Sequence, residues 1–127
     1  MACFRVYGEA EGETHVTRLE LPTKDTAVGK VRGMTDVPMT SGGMAEFVDC
    51  RKPDSGLHDA PRRAFIVVLG GVLEIETSLG KREKLVSGDL LLADDVGSKG
   101  HFSRDVGDTP LTMMTVGIDD AWEGPPR

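Results

Sequence analysis

Glycine and proline decide most of what this chain can become. Sixteen glycines and seven prolines are scattered over its 127 residues, and each marks a place where a helix or a long strand is interrupted. No stretch of eleven or more residues carries the apolar spacing of an amphipathic helix. The breaks leave short pieces that either alternate apolar with polar or run briefly apolar, the pattern of an all-β domain. The length is that of a single domain, and a chain of this size buries a core without help from disulfides.

The pieces fall in order along the chain. Residues 4–7 open it with a short apolar-rich strand. Residues 15–21 alternate, placing His15, Thr17, Leu19 and Leu21 on one face and Arg18 and Glu20 on the other. Residues 29–36 and 44–50 are further candidates. Residues 64–69, Ala-Phe-Ile-Val-Val-Leu, lack alternation and suit a strand covered on both faces. Gly70-Gly71 turns into residues 72–77, where Leu73 and Ile75 point inward and Glu74 and Glu76 outward. Ser78-Leu79-Gly80 turns into residues 81–86 and closes a hairpin. Ser87-Gly88-Asp89 turns into residues 90–93, residues 99–103 and 111–118 are the last strands, and residues 122–127 read as a loop. Short strands recurring between turns predict a sandwich or barrel. Exposed sheet edges are a liability, so either closure of the sheet or edge pairing with a second copy is expected, the latter as a homodimer that meets through the N-terminal strand.

Charge and cysteine narrow the function classes. A formal net charge of −6 is the wrong sign for displacing counterions from nucleic acid, and equally for an anionic membrane surface. The longest apolar run has six residues, 64–69, far short of the roughly 20 that span a bilayer. The N-terminus shows no charged head followed by a long apolar stretch, so no secretion signal is expected. Cys3 and Cys50 have neither zinc nor redox spacing. A cytoplasmic protein with reduced thiols follows. Cys50 has no nearby histidine in sequence to activate it as a nucleophile, and the small buried hydrophobe is its simpler reading.

One stretch carries a resemblance. His58 precedes a short loop, residues 65–69 form a strand, Gly71 sits at a hairpin, and Leu73 and Ile75 mark the next strand. Gly88-Asp89 makes a second turn, and His101 follows a glycine loop. This segment, about a third of the chain, resembles the cupin superfamily. The resemblance implies a double-stranded β-helix, or jelly-roll barrel, over residues 1–127 with its core motif at 58–104. Metal-binding cupins supply three histidines and a glutamate. Counted back from Gly71, the glutamate position falls on Ala64 and the second histidine on Ala60, while His58 keeps the first. His101 takes the third, two residues late, and Asp94 and Val96 stand where the second motif has proline and glycine.

The resemblance therefore implies His58 and His101 as metal ligands of an incomplete set. The ion would be a divalent transition metal such as zinc, iron, manganese or nickel, with His15, Asp94 or Asp95 as a third donor. Without metal, the same two imidazoles suit a general acid–base pair, with Asp94 as a further catalytic candidate. Of Arg62 and Arg63, alternation sends one inward, where a guanidinium would bind a carboxylate or phosphate. Lys99 and Ser103 are further substrate-binding candidates. The blander readings are strand-end arginines paired with acidic neighbours, aspartates that merely end a strand, and Met113 and Met114 as core filler. The resulting expectation is a small cupin-type enzyme acting on a small, anionic organic molecule by isomerase, lyase, cyclase or metal-assisted oxygenase chemistry. A non-catalytic ligand-binding barrel is the alternative, since one fold hosts many functions.

Overall fold

The two most apolar segments, Ala-Phe-Ile-Val-Val-Leu-Gly and Leu-Leu-Leu-Ala-Asp, lie side by side in the middle of the larger of three sheets. The computed structural model describes residues 1–48 and 56–125 and contains no helix among them. Its strands are β1 (Cys3–Gly8), β2 (Thr14–Leu19), β3 (Thr23–Thr26), β4 (Gly29–Arg32), β5 (Met39–Glu46), β6 (Ala64–Gly70), β7 (Leu73–Thr77), β8 (Arg82–Leu85), β9 (Leu90–Asp94), β10 (His101–Asp105) and β11 (Thr112–Ile118). The larger sheet runs β2-β1-β9-β6-β11-β5, a second runs β10-β7-β8, and β3-β4 form a separate hairpin.

The six-stranded sheet is apolar on both faces, which is why β6 and β9 lack alternation. One face carries Phe4, Val6, Val68, Leu91 and Ala93 and packs on Leu73, Ile75 and Leu85 of the three-stranded sheet. This is the core of a two-layer β arrangement. The opposite face carries Cys3, Phe65, Leu92 and Ile118, covered by Leu19, Leu21, Met34, Val37 and Trp122. The tail residue Trp122 is thus a packed side chain, its ring 6.0 Å from that of Phe65. His15, Thr17 and Leu19 do share a face, since they stand opposite Tyr7, Arg5 and Cys3. That face is the second one, turned away from the three-stranded sheet.

Three features depart from the sequence reading. The strand expected at 44–50 begins at Met39 and runs through Gly42-Gly43. Glycine interrupts strands only where nothing holds it, and here β11 does. A Cβ on Gly42 would lie 2.5 Å from the Thr115 carbonyl oxygen, so glycine is what lets the two backbones meet. The strand expected at 29–36 is instead the short β4, paired with an all-polar β3 (Thr-Lys-Asp-Thr) that carries no apolar signal. Finally, β1 is no edge. It pairs antiparallel with β2 and parallel with β9, so both of its edges are occupied, and the outer strands of that sheet are β2 and β5. Cys50 and the end of the expected 44–50 strand lie outside the described residues.

Cys3 is a free, buried thiol, and burial pushes its pKa from about 9 up to about 11. The folded state therefore keeps a proton that the unfolded chain releases, and its stabilising effect fades as pH climbs from about 9 toward about 11. Iodoacetamide at pH 8 is expected to leave Cys3 unmodified in the native chain and to alkylate it in urea, as read by peptide mass mapping. Equal labelling in both states would contradict the burial.

Candidate functional site

Two chain segments more than forty residues apart meet at the start of β10. The segment around His58 forms an isolated antiparallel bridge with His101, in which the His58 amide donates to the His101 carbonyl at 3.0 Å and the reverse bond is 2.9 Å. The bridge brings the two imidazoles together, with ring centroids 4.8 Å apart and planes tilted by 51°. Gly100 makes the approach possible. Its φ is +85°, and a Cβ there would fall 2.2 Å from the His58 carbonyl carbon.

His101 is 3% exposed while His58 is exposed, so a buried ring packs against one that reaches solvent. In the β10–β7 register His101, Ser103 and Asp105 stand opposite Thr77, Ile75 and Leu73, which turns them toward the core side of that sheet. Behind His101 lies Asp95, fully buried. Its Oδ2 is 2.5 Å from His101 Nδ1, and its Oδ1 accepts the Ala60 amide at 3.1 Å. A carboxylate facing Nδ1 selects the tautomer with the proton on that nitrogen and leaves Nε2 with its lone pair. The carboxylate also ties the loop after β9 to the segment that carries His58.

Asp94 and Asp95 separate as adjacent residues on an extended chain do. Asp94 stands opposite Tyr7, one place on from the core residue Ala93, and turns to the outer face. There Arg5 donates to Asp94 Oδ2 from Nη2 at 2.7 Å and from Nε at 3.1 Å, and Arg63 Nε donates to Oδ1 at 2.8 Å. Arg63 also reaches the Trp122 carbonyl at 2.5 Å and stacks over that indole. The catalytic expectation for Asp94 and the substrate-binding one for Arg63 thus fall on the face opposite His101, inside an ion-pair group. Arg62 takes the other side. It donates to Ser41 Oγ at 2.8 Å and lies against Gly117, which pairs with Ala64 on the core-side row. Lys99 is engaged with Glu13. That ammonium and the Ser78 hydroxyl hold the Glu13 carboxyl below the usual carboxylate range. Ser103 is half-buried on the core side of β10, the side of His101.

The histidines therefore acquire one described partner, Asp95, named in sequence only as a supplementary donor. Parity alone, by which an Asp-Asp pair ending an apolar strand sends its members to opposite faces, puts one of the two inward without saying which. A metal centre fits poorly among the described residues. Both oxygens of Asp95 are already used, Asp94 faces the other way, and His15 lies across the sheet beside Tyr7. Two imidazoles are too few for a firm site. Clefts open elsewhere on the surface. One of about 260 Å³ lies between Pro22, Met34 and Trp122, and another of about 510 Å³ lies beside Arg5, Tyr7 and Arg18. No family model and no curated protein matches the chain.

Proposed function

We propose that this protein is a small cupin-type barrel that binds a small organic anion and moves a proton on it with His101, assisted by His58. One observation carries the reading: a buried Asp95 carboxylate 2.5 Å from Nδ1 of His101, with the exposed His58 imidazole tilted against that ring at 4.8 Å. An orienting carboxylate behind a histidine stabilises the imidazolium formed when Nε2 takes a proton. The exposed His58 is placed to relay that proton to water. Arg62, an exposed side chain held by Ser41 and lying against Gly117, supplies the positive charge for an anionic group. The chemistry is of the isomerase, lyase or cyclase kind, with no step assigned to a metal.

The test is a panel of small carboxylates and phosphorylated metabolites, screened by perturbation of the His58 and His101 imidazole resonances and followed for conversion by proton NMR. Conversion is expected to survive chelation and to fall about a hundredfold or more in His101→Asn, the usual scale of general acid–base catalysis. A compound that binds and is never converted, with the same affinity for His101→Asn, would favour the non-catalytic binding barrel instead.

A further inference from the structure

On the far side of the sheet from His101, the β1–β2 hairpin gathers three donors that the proposed reaction does not use. Glu9 follows β1, Glu11 lies in the turn, and His15 is the second residue of β2. The His15 Nε2 atom is 3.7 Å from Glu9 Oε2 and 3.6 Å from Glu11 Oε1, and the three donor atoms all lie within 4.8 Å of one another. These distances exceed a hydrogen bond. Yet Nε2 is the one buried side-chain nitrogen or oxygen among the described residues with no hydrogen-bond partner. A buried nitrogen facing two carboxylates, without bonding to either, needs an explanation.

We infer that Glu9, Glu11 and His15 form a binding site for a zinc-type divalent transition ion. With metal–nitrogen and metal–oxygen bonds of about 2.0–2.1 Å, the edges of a tetrahedral set are about 3.4 Å long. The two His15–carboxylate edges therefore need to close by only a few tenths of an ångström, the exposed glutamate side chains swing together to close the third, which is within 4.8 Å, and water is the fourth ligand. The frame is already set. The Glu9 amide bonds the Glu13 carbonyl at 3.0 Å and the Gly12 amide bonds the Glu9 carbonyl at 2.8 Å, closing the turn. Tyr7, the register partner of His15, stacks on its ring at 5.6 Å and fixes its plane. Among the described residues neither Glu9 nor Glu11 pairs with a lysine or arginine, whereas the neighbouring Glu13 is taken by Lys99. The imidazole selects a transition ion over calcium or magnesium, which take all-oxygen shells.

The experiment is titration of the full chain with Zn²⁺ and with Co²⁺, by calorimetry and by the visible absorption of cobalt. One ion per chain is expected. Removal of an outer-shell partner alone costs 10–100-fold in metal affinity, so loss of the only imidazole in His15→Ala is expected to weaken binding about a hundredfold or more. The Glu9→Gln/Glu11→Gln pair changes only exposed side chains, so it tests the carboxylates with the fold intact. It is expected to lose at least about tenfold. His58→Gln is expected to leave the affinity unchanged, which separates this site from the paired histidines, and cobalt-induced amide shifts are expected to centre on residues 7–17. No saturable binding at micromolar ion, binding unaffected by His15→Ala, or shifts centred on residues 58 and 101 would each overturn the assignment.

Discussion

Gly100→Ala is expected to destabilise the protein by about 3 kcal/mol or more, read as a lower urea midpoint at unchanged slope. Two costs add. The residue sits at φ +85°, where a side chain is strained, and the new Cβ would lie 2.2 Å from the His58 carbonyl carbon, 2.4 Å from its oxygen and 2.5 Å from the Asp59 nitrogen. Backbone is on every side of that contact, so no flexible side chain can yield. Gly97 in the same loop isolates the first cost. Its φ is +77° but nothing lies within 4 Å of its Cβ position, and Gly97→Ala is expected to lose only about 1–2 kcal/mol. If the two variants prove equally stable, the close crossing of the His58 segment over Gly100 is not present in solution. The same substitution pushes the His58 backbone away from His101, so the functional pairing is expected to fail along with the fold.

Asp95→Ala is expected to cost about 3–4 kcal/mol. Asp95 is fully buried and serves two donors, the Ala60 amide and His101 Nδ1. Alanine leaves both without a partner in a place that water does not reach, and an unpaired buried polar group costs far more than a made bond contributes. Asp95→Asn retains one carbonyl oxygen, so it is expected to lose roughly half as much. Its amide can no longer accept from both sides. If its oxygen stays on Ala60, the NH₂ group faces His101 and favours the opposite tautomer. Long-range nitrogen–proton correlation spectra of the imidazole read that tautomer directly. The wild type is expected to carry the proton on Nδ1 when neutral, and Asp95→Asn to move it to Nε2. A wild-type His101 with Nε2 protonated, or an Asp95→Ala variant as stable as wild type, would contradict the dyad.

These expectations rest on residues that differ greatly in how readily they are read from a sequence. The run at 64–69 announces a doubly covered strand because it has no polar alternation, and β6 is apolar toward both layers. The 72–77 and 81–86 hairpin is equally legible, since Leu73 and Ile75 alternate with glutamates and a glycine turn follows. In contrast, β3 is four polar residues and β5 runs through two glycines. Both exist because a neighbouring strand supplies hydrogen bonds that local propensity does not encode. The candidate site divides in the same way. His58 and His101 were conspicuous as two of only three histidines. Asp95 was one of two adjacent aspartates, and only the register of β9 against β1 and β6 shows that Asp94 goes to the arginines and its neighbour to the imidazole.

The amino-acid order alone determined that this chain is built of short strands, because glycine and proline limit element length and period-two patterning selects the extended backbone. Local chemistry also determined which residue types were available for proton transfer or metal binding. Which of them meet was decided by long-range pairing. The parallel contact of β1 with β9 and the bridge of His58 with His101 join residues with no local signal for one another. A one-residue change of register reverses the face of every side chain on a strand, so the choice between Asp94 and Asp95, and between Arg62 and Arg63, belongs to the assembled sheets.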